Sequence, residues 1–265
     1  MRDLIHFAHG NGFPALCYSQ LLEALHARYD YCYIDKIGHN PKFPVTENWH
    51  FLVDEIIDSV RTQATKPVIA IGHSLGGVLS LLAAIEHPSL FKAVIMLDSP
   101  LLGPFKSTVV RLAKSFGFID KITPASRTRG RREVWQNREQ LLLYLKTRKL
   151  FKSFSDECLQ DYIDYGMKKT KNGYELLFDR DIEYSIYRTI PDKFSDYEGR
   201  LTLAAALIYG DKSNVVDVLD RRNMRKNYRI PSYKIKGSHM FPMERPIEVS
   251  EQVFKVLDAI LKRSE

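Results

Sequence analysis

Pro67-Val68-Ile69-Ala70-Ile71-Gly72-His73-Ser74-Leu75-Gly76-Gly77 is the stretch that decides the fold. Pro67 to Ile71 is a β-branched run bounded by Pro and Gly, the pattern of a buried strand. Leu75 to His87 reads as a helix stopped by Pro88. Between them, Gly72-His73-Ser74-Leu75-Gly76 fits G-x-S-x-G in the setting that gives it meaning, a strand before and a helix after. A sharp strand-to-helix turn forces the serine into a strained backbone conformation. Small residues on either side let the turn close and the helix pack on the strand. The serine hydroxyl then stands at the carboxyl end of the sheet, beside a helix N-terminus whose dipole favours developing negative charge. Ser74 is the candidate nucleophile.

The same alternation extends outward. Leu4 to Ala8 reads as a strand ending at His9-Gly10, Ser19 to Ala27 as an amphipathic helix and Tyr31 to Ile34 as a short strand. Trp49 to Thr62 carries Phe51, Val53, Ile56, Ile57 and Val60 at helical spacing, and Ala93 to Leu97 is the next strand. Such a pattern implies an α/β protein with a mostly parallel central sheet and helices on both faces. It breaks between Leu101 and Glu198, a stretch rich in Arg, Lys, Tyr and Phe that reads as several helices without a clear strand. It resumes at Leu203 to Tyr209 and Tyr233 to Ile235, and a last helix runs from Ile247 to Leu261. The expected organisation is a core of residues 1–100 and 199–265 interrupted by a helical insertion, residues 101–198.

Composition narrows the functional classes. The chain has 265 residues, 45% hydrophobic, enough to bury a substantial core. No apolar run is long enough to span a membrane, and the start lacks the pattern of a signal peptide, so a cytoplasmic protein is expected. Cys17, Cys32 and Cys158 are odd in number and widely spaced, which argues for reduced thiols over a disulfide framework or zinc site. The net charge of +7 is densest at Arg127-Thr128-Arg129-Gly130-Arg131-Arg132. That run has no interleaved aromatics and reads as solvated surface, so no nucleic-acid partner is expected. No metal cluster or nucleotide loop is visible, and the chemistry below needs no cofactor.

On the serine turn and its context, the chain resembles the α/β-hydrolase superfamily over nearly its whole length. The resemblance implies a histidine base on a loop after the last strand. Gly237-Ser238-His239-Met240-Phe241-Pro242 follows the strand at Tyr233 to Ile235, which makes His239 the candidate. Its continuation through Glu244 and Pro246 looks like the G-x-H-x-x-x-x-E-x-P tail of these enzymes. His6 and His9 lie nearer the oxyanion loop, His73 belongs to the turn, and His26, His39, His50 and His87 lack comparable placement. The resemblance places the third member, an acid, three or four residues after Gly210, where this chain has Ser213 and Asn214. Two substitutes remain: Asp98, ending the strand after the nucleophile helix, and Asp211. Asp98 is favoured on placement. His9-Gly10-Asn11-Gly12-Phe13-Pro14 resembles the loop that gives one oxyanion-hole donor, from Asn11 or alternatively Phe13; Leu75 gives the second.

Residues 101–198 resemble the helical cap that many of these enzymes place over the site. Trp135, Tyr144, Phe151, Phe154, Tyr162 and Tyr165 are candidates for a pocket lining, and most of them are expected to form a small core of the cap's own. The functional expectation is hydrolysis of a small-molecule carboxylic ester through an acyl-enzyme. Carbon–carbon bond hydrolysis and acyl transfer use the same residue set. A non-catalytic ligand-binding protein is the reading from another class, supported by Asn214. Oligomeric state is not written in the sequence.

Overall fold

The computed structural model describes residues 2–262; Met1 and 263–265, the outer ends of the expected core segments, lie outside the described residues. The chain opens with β1 (Leu4–Ala8), α1 (Ser19–His26), β2 (Asp30–Tyr33), α2 (His50–Gln63), β3 (Val68–His73), α3 (Leu75–Glu86) and β4 (Phe91–Leu97). Next come α4 (Pro104–Ser115), α5 (Ile119–Ile122), α6 (Ala125–Arg129), β5 (Val134–Trp135), α7 (Arg138–Thr147), α8 (Asp156–Tyr165), β6 (Met167–Thr170), β7 (Gly173–Leu176) and α9 (Arg180–Arg188). The chain closes with β8 (Ala204–Gly210), α10 (Val218–Tyr228), β9 (Ser232–Ile235), α11 (Phe241–Glu244) and α12 (Pro246–Leu261).

Six strands form one sheet in the order β2-β1-β3-β4-β8-β9, and every pairing is parallel. Period-two alternation divides their side chains between two faces. Ile5, Phe7, Ile69, Ile71, Ile95, Leu97 and Ile208 meet α1 and α12 on one face. Ala8, Val68, Ala70, Val94, Met96 and Leu207 pack with residues of α2 and α3 on the other. All are buried, so Val68 to Ile71 of β3 and Ala93 to Leu97 of β4 read as continuous apolar runs because helices cover both sides. On α2 the buried face is Leu52, Val53, Ile56, Ile57 and Val60, while Phe51 points to solvent. The strand order reverses direction at β1 and β3, and the carboxyl ends of strands at such a switch point form a crevice.

The segment between β4 and β8 departs from the sequence reading in two ways. It is not purely helical: β5, β7 and β6 form a three-stranded antiparallel sheet. These strands are two to four residues long and carry Lys168, Lys169 and Glu175, too short and polar to stand out by periodicity. Nor do its aromatics form a separate core. Trp135, Tyr162, Phe151 and Phe154 join the cluster that contains Ile5, Phe7 and Tyr18 of the main sheet layer. Tyr144 packs at its edge, and Tyr165 is exposed.

Candidate active site

The turn after β3 is closed by absent side chains. A Cβ on Gly72 would lie 2.3 Å from the backbone of Gly76, and one on Gly76 would lie 2.0 Å from the carbonyl oxygen of Ala8. Both distances are below any van der Waals contact, so α3 presses onto β3 and β1 at a separation that only glycine allows. Ser74 takes φ 52° and ψ −115° there, a left-handed strain for a residue with a Cβ. Its N–H donates to the Leu97 carbonyl at 2.9 Å, which ties the turn to the end of β4. Leu75, the next residue, opens α3, so its N–H is one of the helix's orphan donors.

Asp98 directly follows β4 with φ 47°, fully buried, its N–H donating to the Ile208 carbonyl at 2.8 Å. Its Oδ2 lies 2.7 Å from Nδ1 of His239, on the loop after β9. The same carboxylate accepts the Ser213 hydroxyl at 2.5 Å and the Gly210 N–H at 3.2 Å. Three groups therefore converge on one buried carboxylate, which fixes its orientation. Asp211 is exposed and turns elsewhere: its carboxylate accepts the Gly237 N–H at 2.9 Å. Asn214 is exposed as well. Among the described residues, neither Nε2 of His239 nor the Ser74 hydroxyl has a hydrogen bond within the protein. Free enzymes often leave that contact open until substrate arrives.

The loop after β1 is fixed from three sides. Phe13 N–H donates to the Gly10 carbonyl at 3.1 Å, closing a turn in which Gly12 takes φ 80°. That is the positive φ a type II turn needs at its third residue. His9 Nε2 accepts the Ile37 N–H at 2.8 Å, so the proton sits on Nδ1, which donates to the Gly10 carbonyl at 2.8 Å. Burial holds the His9 imidazole neutral, its pKa lowered to about 4. Among the described residues the N–H of Asn11 has no acceptor, whereas that of Phe13 is spent in the turn.

Sequence reasoning missed a brace between this loop and the His239 loop. His73 Nε2 lies 3.0 Å from the His239 carbonyl, which can only accept, so Nε2 carries the proton. Nδ1 then accepts from the Tyr18 hydroxyl at 2.7 Å, and that hydroxyl accepts the Gly10 N–H at 3.2 Å. Burial, first, and the neighbouring His239 push the His73 pKa well below its ordinary value, so the ring stays neutral. Fifty-five positions separate Tyr18 from His73, and no local pattern announces the contact. Glu244 of the tail noted above accepts from the N–H and hydroxyl of Ser238, beside His239.

The basic run also needs correction. Arg131 does not lie in solvent: it makes a two-pronged ion pair with Glu183 of α9, itself buried. Burial raises the Glu183 pKa against the opposing pull of Arg131. The carboxylate sits where a Cβ on Gly12 would fall, 2.9 Å away, and the Glu183 carbonyl accepts from the Asn11 side chain at 3.0 Å. Phe13 packs against Tyr162, Phe151 and Phe154, with ring centroids 5.1–6.3 Å apart. The inserted segment thus bears directly on the loop after β1. Among the described residues no group of His, Cys, Asp or Glu is arranged to hold a metal ion.

A parallel sheet with a strained serine at its switch point, and a histidine–carboxylate pair at the neighbouring strand ends, defines an α/β-hydrolase fold. The sequence model of the alpha/beta hydrolase family matches residues 7–252, and the chain belongs to that family. It is 30% identical over 153 residues to a monoglyceride lipase homolog of Monkeypox virus, covering 51% of this chain and 54% of that one. It is 32% identical over 110 residues to the monoglyceride lipase of Rattus norvegicus, covering 38% and 36%. The chain thus spans about half or less of the curated relatives it matches. Among solved structures, E-2-(acetamidomethylene)succinate hydrolase superposes with a TM-score of 0.78 over 97% of this chain and 92% of its own, at 18% identity. That likeness is one of fold.

Proposed function

We propose that the chain is a serine hydrolase that cleaves small to medium carboxylic esters through an acyl-enzyme, with residues 101–198 as its cap. The observation that carries the reading is the 2.7 Å pairing of His239 Nδ1 with buried Asp98, at the sheet edge where Ser74 is held at φ 52°. In this mechanism Nε2 of His239 takes the Ser74 proton as the hydroxyl oxygen attacks the ester carbonyl. Asp98 holds the ring in the tautomer that leaves Nε2 free to accept, and stabilises the imidazolium that forms. The N–H groups of Asn11 and Leu75 receive the developing oxyanion; each such donor lowers the barrier by about 3 kcal/mol. His239 passes its proton to the leaving alcohol, and water then releases the acid by the same steps in reverse. The cap excludes bulk water, which strengthens each of these interactions.

The likeness to monoglyceride lipases supports the ester class over carbon–carbon cleavage. The binding-protein reading drew on Asn214 alone, and a carboxylate from Asp98 removes the need for an acid there. The test is turnover of a p-nitrophenyl ester. Asp98→Asn is expected to lower kcat by about ten-thousand-fold, as loss of the orienting carboxylate does in serine triads, and Asp211→Asn by less than about tenfold. The reverse ranking overturns the assignment.

A further inference from the structure

Helix α4 is oriented with its apolar stripe outward. Its inward residues are Ser107, Val110 and Ala113. Its charged side chains reach back to the body of the protein. Lys106 Nζ lies 2.7 Å from both Asp217 and Asp220, and Lys114 Nζ lies 2.7 Å from Glu47 and 3.2 Å from Asp192. These pairs fix the rotation of the helix. Phe105, Val109, Leu112 and Phe116, spaced i, i+4, i+7 and i+11, therefore form one exposed stripe. Phe105 is 80% exposed and Phe116 74%. Phe118 and Ile122 extend the surface, and the rings of Phe116 and Phe118 lie nearly parallel. A surface helix governed by water alone turns such residues inward, so a contiguous exposed stripe marks a contact surface.

Charge indicates what covers it. Residues 104–132 hold eight Lys and Arg against a single acidic residue, Asp120. Asp120 is occupied by Arg188 and the Tyr184 hydroxyl. Among the described residues, Lys121, Arg127, Arg129 and Arg132 have no carboxylate within ion-pair reach, and all four are exposed. The first three sit on α5 and α6; α5 packs beside α4 and α6 beside α5. A second copy docked through this face would bring its basic groups against their own counterparts, which is repulsive. The Phe105 ring and the Phe116 ring of the Phe116–Phe118 stack project into solvent, a form suited to entering a fluid acyl layer between anionic headgroups.

We infer that the α4–α6 face seats the protein on an anionic lipid surface. Phe105, Leu112 and Phe116 enter the boundary between headgroups and acyl chains, and Lys121, Arg127 and Arg129 meet lipid phosphates. No helix among the described residues is long and apolar enough to cross a membrane, so the association is peripheral. It does not depend on the ester-hydrolase reading.

The experiment is co-sedimentation of the full chain with vesicles of phosphatidylcholine plus phosphatidylserine, against phosphatidylcholine alone. Binding to the anionic vesicles is expected to be at least about tenfold tighter and to weaken with salt. Phe105→Asp combined with Phe116→Asp is expected to lower it by a further factor of about ten or more, while turnover of a water-dissolved p-nitrophenyl ester and the Tm stay at the parent values. Ser74→Ala is expected to bind vesicles like the parent, which separates failure here from failure of the catalytic reading. Absence of vesicle binding, or binding indifferent to the two aspartates, overturns the proposal and leaves an acidic protein surface as the occupant. A doubled mass in sedimentation velocity that the same substitutions abolish would overturn it in favour of a second copy.

Discussion

The turn at Ser74 and helix α4 lie at opposite extremes of constraint. At the turn, backbone approaches backbone so closely that Gly72 and Gly76 have no room for a methyl group, and Ser74 is held in a strained conformation. Along α4 and its C-cap the constraint lies on the inner, ion-paired side, and four large apolar residues face outward, exposed to solvent. The difference shows where the fold invests its packing. Geometry that must be accurate to fractions of an ångström is over-determined by neighbours. A surface that meets a changing environment is left open. Substitutions should accordingly cost most at the turn and least on the stripe.

The largest effect is expected from Gly76→Ala. The new Cβ would meet the Ala8 carbonyl oxygen at 2.0 Å and the His9 carbonyl oxygen at 2.7 Å, backbone atoms with no flexible side chain to yield. A loss of more than about 4 kcal/mol in urea denaturation is expected, or no folded protein at all. A loss under about 1 kcal/mol would mean that α3 can back away from β1, and the contrast with α4 would collapse.

A smaller and pH-dependent effect is expected at Glu55 of α2, which is buried and accepts the Gly38 N–H at 2.8 Å. Burial raises its pKa to about 7. The folded protein therefore keeps a proton that the unfolded chain loses near its ordinary value. Stability falls as pH rises from that value to about 7 and stays reduced above it. Glu55→Gln keeps an acceptor for Gly38 and removes the charge. It should raise stability by about 1–3 kcal/mol at about pH 8 and by little at about pH 4, read from the urea midpoint. Equal gains at both pH values would show that the carboxylate is not desolvated. The least change in midpoint is expected from the paired aspartates on the α4 stripe.

Much of this molecule is legible in its sequence, for reasons that differ by region. β1, β3 and β4 carry β-branched or apolar runs closed by Gly, Pro or Asp, because burial on both faces leaves few polar positions, His6 in β1 and Lys92 near the start of β4, to confuse the pattern. The Ser74 turn announces itself because its glycines are sterically obligatory. The small β5–β7–β6 sheet was hidden because it is short and half-polar. Its one signal, Asn172-Gly173 between Met167–Thr170 and Tyr174-Glu175-Leu176, is that of a hairpin turn. Helix α10 escaped notice because it is mostly polar; its mark is Asp217 three residues before Asp220, which cap each other's backbone N–H groups. The Tyr18–His73 brace, the Ser213 bond to Asp98 and the Arg131–Glu183 pair join residues more than 50 positions apart. No local rule reaches that far.

In the mechanism proposed above, the Ser74 hydroxyl is the atom that attacks the substrate. Its most direct test is labelling with a fluorophosphonate, followed by peptide mass spectrometry. One adduct is expected, on the peptide carrying Ser74, absent in Ser74→Ala and strongly slowed in His239→Ala. A folded protein that takes up no label, or takes it up at another residue with Ser74 unmodified, would contradict it.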